Sequence, residues 1–367
     1  MAFIDDDCWL RPDWLLALTS GVSLSPPRAT GETTFNGLVS NAYARVSHSN
    51  PETLCYEYDY DEGKPGGELV VTPRVSVVVP TRDRLEKLRC ALAGVDSQRF
   101  RDFEIIVVDD GSIDATASWL HTQCSRIRVL TIERPGGAAR ARNCGLDRAR
   151  GEIIAFLDDD DVWHPAYLEA QVEHLDAHPM ATLSYTDHVE IHPSGRSSRP
   201  DTQPLLAYPN PFVRLLAESF IHTMSVVVCR REAFDRFGRF DERLDIVHDL
   251  DWYRRVLVGG GSFLYLSRPL VERSVPGGLV TSHRKWFQEE RTARAQAFAG
   301  NPADTRHKRM VRTYRSLFFA RLSFAERDWS FGFVRLAGAF FASPYWTLRI
   351  AALRLLRRLR LNHRGIQ

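Results

Sequence analysis

Four consecutive aspartates, Asp158–Asp161, follow the apolar run EIIAFL and form the densest group of ionisable side chains in the sequence. Adjacent carboxylates repel one another and raise each other's pKa, so a cluster of this kind is costly unless a cation relieves it. Hard oxygen ligands select Mg²⁺ or Mn²⁺, and Mg²⁺ typically takes one or two carboxylates together with substrate phosphates. The cluster therefore predicts either a metal that joins the protein to a diphosphate or a solvated acidic turn at a helix N-terminus, where acids are also favoured.

Apolar, β-branched runs alternate with helical spacing between residues 74 and 275, and acids follow two of these runs. The strand-like runs are RVSVVVPT, FEIIVVDDGS, IRVLTIE and EIIAFLDDDD, and the helix-like stretches between them are RLEKLRCALAGV, ATASWLHTQC and AARARNCGLDRAR. Strands without a polar face are typical of parallel sheets that are covered on both sides. The pattern predicts an α/β fold with a mostly parallel sheet flanked by helices. Ligands of such sheets bind at the carboxyl ends of the strands, where Asp109-Asp110 and Asp158–Asp161 stand.

The composition excludes several classes of protein. The formal net charge of +2 over 367 residues indicates no polyanion partner, so we expect no nucleic-acid binding. The six cysteines are scattered singly, which argues against a structural zinc site or a disulfide framework and favours a reducing cytoplasm. The first residues run straight into acids, so we expect no secretory leader. Since no apolar run reaches the ~18–20 residues of a membrane span, we expect none.

Four stretches in a fixed order carry a resemblance: VSVVVPTRDR, FEIIVVDDGSIDAT, GGAARARNCGLDRARGEIIAFLDDDDVWHP and FGRFDERLDIVHDLDWYRR. Together they resemble the family 2 glycosyltransferases of GT-A fold, over roughly residues 74–275. The resemblance implies an inverting, metal-dependent enzyme that uses Mg²⁺ or Mn²⁺ as cofactor. Such an enzyme moves a sugar from a nucleotide-diphosphate sugar to a hydroxyl of a glycan or lipid-linked acceptor in cell-envelope polysaccharide synthesis. UDP is the expected nucleotide, while GDP- and dTDP-sugars stay open.

The resemblance also implies roles for individual residues at the strand ends. Pro80, Thr81 and Arg82 would line the nucleotide pocket, Asp110 would accept a hydrogen bond from the base, and Arg142 would face the nucleotide or its phosphates. The DxD motif of the family falls on Asp158, Asp159 and Asp160. Asp160 would hold the metal, with Asp158 or Asp159 near the ribose and the metal shell.

A second acidic group, His248-Asp249 with Asp251-Trp252 after it, matches the catalytic pair of the family. Asp249 corresponds to the general base, which takes the proton from the acceptor hydroxyl as it attacks. His248 stands where the family usually has glutamate, so the role of that glutamate is in doubt here. Asp251 is the rival candidate for the base if the side chains of this segment point in other directions than they do in the family.

Several features of the sequence argue against other functions. The absence of glycine in VVVPTRDR argues against a sugar nucleotidyltransferase, and the sequence contains no GxGxxG, GxSxG or HExxH motif. A degenerate, non-catalytic transferase kept as a scaffold or binding protein would be favoured by loss of Asp110, Asp160 or Asp249, and all three are present. The sequence has no QxxRW motif, so a single-addition transferase is favoured over a processive synthase.

We predict three regions: 1–73, an N-terminal extension with linker; 74–275, the GT-A domain; and 276–367, a helical C-terminal region. Ala2–Leu15 is identical to Ala155–Leu168 at seven of fourteen positions, three of them consecutive aspartates. The extension is therefore interpreted as the remnant of a truncated second copy, or as a chain whose true start lies upstream, against the alternative of chance similarity.

The end of the chain, YWTLRIAALRLLRRLRL, spaces apolar residues at helical intervals with arginines between them. Such a helix either packs on its own domain and turns a basic face to water or lies on an anionic membrane surface. The sequence therefore predicts a cytoplasmic protein, with peripheral contact to the inner face of the cell membrane as the second alternative.

Overall fold

The structure is a computed structural model, and it describes the backbone of residues 43–47, 55–59, 72–123, 127–195, 197–198, 208–275, 283–299 and 305–364. The chain divides into two compact units. The sheet unit comprises Met1–Arg199, Thr223–Arg236 and Phe263–Val275, and the helical unit comprises Pro200–His222, Phe237–Ser262 and Pro276–Gln367. Segments that the sequence analysis assigned to one domain, residues 74–275, thus contribute to both units.

Within the described residues, eleven strands of the sheet unit form one sheet. In hydrogen-bonded order they are β1 (Tyr43–Ser47), β2 (Cys55–Asp59), β5 (Arg128–Ile132), β4 (Phe103–Asp109), β3 (Val75–Thr81), β6 (Ile153–Phe156), β10 (Val227–Arg230), β8 (Leu183–Ile191), β11 (Phe263–Ser274) and β7 (Val162–Trp163), with β9 (Ser197–Ser198) paired to β8.

The four strands predicted from the sequence, β3, β4, β5 and β6, lie side by side at the centre and are parallel. Their side chains are buried nearly throughout, as expected of apolar runs that helices cover on both faces. Strand β10 runs antiparallel to both β6 and β8, so the complete sheet is mixed. The predicted α/β class with flanking helices is confirmed; the central group is parallel, and so is the pair of β8 and β11.

The N-terminal extension contributes two strands that the sequence analysis did not predict. Strands β1 and β2 form an antiparallel pair, and β2 continues the sheet along the edge of β5. An edge strand presents unpaired backbone groups, and a short segment can satisfy them without a long apolar pattern of its own. Short strands between proline- and glycine-rich stretches therefore escaped prediction. Ala2–Leu15, the proposed remnant, lies outside the described residues.

Eleven α-helices are found in the described part of the chain. They are α1 (Leu85–Asp96), α2 (Ala115–His121), α3 (Gly137–Arg148), α4 (Tyr167–Asp176), α5 (Pro211–Glu218), α6 (Glu232–Phe237), α7 (His248–Val258), α8 (His283–Ala299), α9 (Thr305–Ala325), α10 (Trp329–Ala342) and α11 (Pro344–Arg364).

Helix α3 lies unusually close to the central strands because it carries a glycine at the contact. A Cβ added to Gly145 would stand 2.4 Å from Cγ1 of Val78 and 3.4 Å from Cγ2 of Val108, in β3 and β4. Val78 and Val108 are fully buried and cannot move aside. The close approach fixes the position of the N-terminal turn of α3 at the carboxyl ends of these strands.

The helical unit has an apolar core of its own, which confirms the predicted helical C-terminal region. The core residues come from four helices and are Phe212, Val213, Leu216, Ala217, Ala297, Met310, Val311, Trp346 and Ile350. Trp346 and Ile350 stand one turn apart on α11, so one stripe of this helix packs on its own unit. The packed-helix alternative therefore describes the first turns of the predicted tail.

Three charged side chains lie inside the helical unit. Glu290 is fully buried and accepts hydrogen bonds from the guanidinium groups of Arg294 and Arg315. Burial lowers the pKa of Arg294 to about 10, while the Glu290 carboxylate opposes the shift. The Arg315 guanidinium also lies over the rings of Phe318 and Phe319. The Glu290 carboxylate thus joins α8 to α9 through Arg315, while Arg294 pairs with it from α8 itself, and the aromatic rings shield the group from water.

The cysteines depart from the expectation of isolated thiols in one respect. Cys90, in α1, is disulfide-bonded. Cys144 and Cys229 are buried thiols, and burial alone raises the pKa of Cys229 above its usual range. A sequence in which cysteines stand far apart gives no local signal for such a bond.

Two glycine-to-alanine substitutions test the seating of α3. Gly145→Ala should destabilise the protein by about 1–3 kcal/mol, because the added methyl group collides with a buried strand. Gly338, in α10, has no atom within 4 Å of an added Cβ. Gly338→Ala should instead stabilise by about 0.5–1 kcal/mol, since only the helix propensity changes. Urea unfolding of both variants measures the difference, and two stabilising substitutions would mean that α3 is not held tightly against the sheet.

Candidate functional site

A cavity of about 440 Å³ opens at the carboxyl ends of β3, β4 and β6. Strand β3 is the switch point of the parallel group, since β4 follows on one side and β6 lies on the other, and ligands of such sheets bind there. The lining residues are Pro80, Thr81, Arg82, Arg84, Asp110, Gly137, Ala138, Ala141, Arg142, Asp158, Asp159 and Asp160. Every residue that the sequence analysis assigned to nucleotide-sugar or metal binding is among them.

The register of the strands explains why these residues meet. Thr81 pairs with Asp109, and Val78 pairs with Phe156, so β6 ends three residues before β3. The acidic turn after β6 therefore runs beside the end of β3. There the Thr81 hydroxyl donates to Oδ2 of Asp159 at 2.8 Å.

The acidic turn is compensated by basic side chains from two helical segments. Arg84, at the start of α1, reaches Asp159 at 3.1 Å and Asp160 at 3.2 Å, and Lys87 lies 3.6 Å from Asp160. From α3, Arg142 forms an ion pair with Asp158. Arg84 is a site residue that the sequence analysis missed, because nothing in TRDR distinguishes a basic residue that folds back over the acids from a solvated one.

Burial shifts the protonation of these acids. Asp159 is almost fully buried, and its burial raises its pKa to about 6, against the opposing effects of Arg84 and the Thr81 hydroxyl. Burial also raises the pKa of Asp160, as does the charge of Asp158, while Arg84 and Lys87 lower it. The cavity thus concentrates negative charge that neighbouring cations only partly offset.

The fourth aspartate of the run, Asp161, faces away from the cavity lining and is buried. Thr223 Oγ1 lies 2.9 Å from Oδ2 of Asp161 and 2.9 Å from Oδ2 of Asp158, and the backbone N–H of Ser274 donates to Oδ1 of Asp161 at 3.0 Å. Burial, followed by the charges of Asp158 and Asp160, raises the pKa of Asp161 to about 8. Asp161 therefore ties the acidic turn to β11 and to the segment before β10.

Asp110 uses both carboxylate oxygens to hold the loop before α3. Each oxygen accepts one backbone N–H, from Gly136 and from Gly137, at 2.8 Å. Gly137 has φ of 82°, which favours glycine at this turn. Burial raises the pKa of Asp110 despite these two donors. A carboxylate oxygen can accept a second hydrogen bond, so the predicted contact between Asp110 and a nucleobase stays a prediction.

Asp83 is a second residue that the sequence analysis did not single out. Its backbone is left-handed, with φ of 52°, a conformation that costs energy for a residue with a Cβ and is often found at functional sites. Its N–H donates to Ser112 Oγ at 2.9 Å, and its Oδ1 accepts the N–H of Ile113 at 2.7 Å. Asp83 thus joins the loop after β3 to the loop after β4 and holds Arg82 and Arg84 on either side of it.

The predicted base, Asp249, lies in the helical unit, in the first turn of α7. It is half-buried, and its Oδ1 accepts the N–H of Leu250 at 2.6 Å. The rival Asp251 is buried, and its two oxygens accept from Arg254 at 2.7 Å and Arg255 at 2.9 Å. His248 is buried edge-on against the ring of Phe240. Asp251 therefore stabilises the helix, with one guanidinium group at each of its two oxygens.

The acids of the cavity offer carboxylate oxygens to the divalent cation that the sequence analysis predicts. Among the described residues, no group of three or more His, Cys, Asp or Glu side chains is arranged to hold a metal ion. Asp158 and Asp160 keep 29% and 23% of their side chains exposed beside the cavity. Mg²⁺ typically takes one or two carboxylates and completes its shell with water and phosphate oxygens. The donor set suits a cation that arrives together with a diphosphate.

Comparison with known proteins finds a family model that matches this part of the chain. The model of "Glycosyl transferase family 2" matches residues 76–238, a range that contains all lining residues of the cavity and ends before Asp249. Among curated proteins, the chain is 32% identical over 203 residues to "O-antigen biosynthesis protein RfbC" of Myxococcus xanthus, an alignment of 54% of this chain and 16% of that protein.

A second relative is "UDP-Glc:alpha-D-GlcNAc-diphosphoundecaprenol beta-1,3-glucosyltransferase WfgD" of Escherichia coli, 39% identical over 99 residues, which cover 27% of this chain and 39% of WfgD. The chain thus spans less than two thirds of the length of either relative.

The fold has a counterpart among solved structures. S. aureus TarS 1-349 in complex with UDP-GlcNAc superposes with a TM-score of 0.57 at 20% sequence identity, over 76% of this chain and 83% of that chain. The parallel strands, the cavity at their carboxyl ends and the family match cover the same part of the chain. The likeness to glycosyl transferase family 2 thus extends over residues 76–238 of the chain.

Proposed function

We propose that the protein is an inverting glycosyltransferase that moves a sugar from a nucleotide-diphosphate sugar to a hydroxyl of a glycan or lipid-linked acceptor. One observation carries the proposal: eight residues spread from Pro80 to Asp160 converge on one cavity at the switch point of a parallel sheet. Cavities of several hundred Å³ are of the size that small-molecule ligands occupy.

The cavity offers both signs of charge that a nucleotide diphosphate needs. Arg84 and Arg142 line it with guanidinium groups, which pair readily with phosphate oxygens. Both groups now contact aspartates, and a diphosphate would compete with those carboxylates for them. Pro80, Thr81 and Arg82 would bound the nucleotide end, with Asp110 accepting from the base. A divalent cation held by Asp160, with Asp158, would offset the charge that gathers on the leaving diphosphate.

Asp249 would act as the general base. A carboxylate that accepts the proton of the acceptor hydroxyl permits direct displacement at the anomeric carbon, with inversion and without a covalent intermediate. His248 would orient the acid. Asp251 is disfavoured in this role because two guanidinium groups engage its oxygens.

The comparisons support the choice of donor and acceptor classes. The TarS complex contains UDP-GlcNAc, and the name of WfgD specifies a UDP-sugar donor and a diphosphoundecaprenol acceptor. RfbC is named for O-antigen biosynthesis. We therefore favour a UDP-sugar over GDP- or dTDP-sugars, and an envelope glycan or its lipid-linked precursor as acceptor. A peripheral position on the inner face of the cell membrane would bring the enzyme to such an acceptor.

The metal assignment is tested at Asp160. Asp160→Ala should weaken metal-dependent UDP binding at least about tenfold, to the level without metal, since loss of even an indirect partner of a metal site costs that much. The fold should persist, because a carboxylate whose pKa is already raised by burial and by Asp158 is removed. Calorimetry of UDP with and without Mn²⁺ measures the effect. Asp235→Ala, at an exposed position of α6, is the matched control, and unchanged metal-dependent affinity in Asp160→Ala would exclude the assignment.

The base is tested by comparing three variants of α7. Asp249→Asn keeps the shape and loses the proton acceptor, so transfer to a working acceptor should fall by about 10²–10⁴-fold with little change in UDP affinity. Asp251→Asn should lower stability by about 1–3 kcal/mol, because two guanidinium groups lose a charged partner. His248→Ala should reduce transfer less than Asp249→Asn. Initial transfer rates and urea unfolding separate the three, and near-normal transfer by Asp249→Asn would remove Asp249 from the mechanism.

A further inference from the structure

Helix α10 of the helical unit presents large apolar side chains to solvent. Phe341 is 84% exposed, Phe333 60% and Val334 55%, and Phe340 stands beside them with 48%. Phe333 and Phe340 stand seven positions apart, as do Val334 and Phe341, which is about two helical turns, and so the four residues share one side of the helix. The opposite stripe is the packed one, where Gly332 and Ala339 are buried and Gly332 lies against the ring of Phe324.

The outer face of α10 lacks the polar residues of an ordinary surface helix. Its single charged residue, Arg335, points inward, with its guanidinium 4.4 Å from the ring centre of Phe287 and 5.0 Å from that of Phe331. A surface helix of a globular protein normally turns charged residues to water. Large exposed apolar patches mark a surface that binds a partner or a membrane.

The next helix, α11, also carries exposed apolar side chains and adds positive charge. Tyr345 and Leu348 are 57% and 66% exposed, while Arg349 lies over the rings of Tyr345 and Trp346. From residue 305 to residue 367 the sequence has fourteen lysines and arginines against two acids, Glu326 and Asp328. An apolar face with exposed aromatic residues beside an almost acid-free basic segment matches the two parts of an anionic lipid surface.

We propose that the outer faces of α10 and α11, named here the docking face, bind the surface of an anionic lipid bilayer. The mode is peripheral, since no helix in the described part of the chain is long and apolar enough to cross a membrane. The positive charge of this segment favours a lipid surface over a second copy of the chain as the binding partner. A second copy of the chain would bring an equally basic segment against the same face, and like charges would repel. Anionic headgroups attract the arginines while the phenylalanines enter the acyl boundary.

This proposal extends the membrane contact that the sequence predicts for the C-terminal tail. It moves the centre of that contact from α11 toward α10. The membrane-facing residues begin in α10, and the start of α11 contributes Tyr345 and Leu348, while Trp346 and Ile350 are withdrawn into the core. The inference stands apart from the proposed transferase activity, because it rests on no residue of the cavity.

The test is sedimentation of the full chain with vesicles of phosphatidylcholine alone or with phosphatidylglycerol. The protein should pellet with the anionic vesicles at about 0.05 M salt and be released at about 0.5 M, where the Debye length is only a few ångströms. The double variant Phe340→Ser, Phe341→Ser should lower the vesicle partition coefficient at least about tenfold, because it removes two large apolar groups. Met180→Ser, at another apolar position that is 92% exposed, is the matched control and should partition as the parent does.

Three results would overturn the proposal: the full chain staying in the supernatant, the double variant and the Met180 control partitioning alike, or ultracentrifugation showing a dimer that the double variant dissociates while vesicle binding is unchanged. UDP binding is measured for each variant in parallel. Intact UDP binding with lost sedimentation shows a folded protein without its docking face. Failure of UDP binding in the parent would instead count against the proposed function and leave the vesicle result to be judged separately.

Discussion

The repulsion among Asp158, Asp159, Asp160 and Asp161 is the constraint around which the sheet unit is organised. Four carboxylates at a buried strand end require partners, and each finds a different one: Arg142, the Thr81 hydroxyl with Arg84, Arg84 with Lys87, and Thr223 with the N–H of Ser274. These partners come from β3, α1, α3, β11 and the segment before β10. Satisfying the acids therefore gathers most of the elements that border the cavity.

Acids outside the run hold the remaining loops. Asp110 fixes the turn before α3, and Asp83 fixes the loop after β4 at the cost of a left-handed backbone. Because the chain itself supplies these hydrogen bonds, the loops that border the cavity are held by the protein. Pre-formed sites lose less conformational entropy when a ligand binds than loops that must first be ordered. The carboxylates that would hold the proposed cation also build the walls of the cavity.

The helical unit arranges its charges differently. Glu290, Arg294 and Arg315 lie inside, where aromatic rings surround them, while the phenylalanines of α10 lie outside. Burying two guanidinium groups with one carboxylate gains little free energy by itself, because desolvation offsets the attraction. It does fix the register of α8 against α9, and α10 packs onto α9. The apolar docking face is thus presented on a rigid support within the helical unit.

The sequence by itself determined the central strands, the class of fold and the residues of the cavity. It did so because apolar β-branched runs specify buried parallel strands, and parallel strands bring residues at their carboxyl ends to one edge. Only the tertiary structure decided which acids face the cavity and which act as supports. Thr223 is 62 residues from Asp161, and Ser274 is 113 residues away, so no local spacing connects them. The same holds for Arg84 folding over the acids and for β2 on the edge of β5. Each depends on which distant segment lies opposite, and periodicity along one segment carries no information about that neighbour.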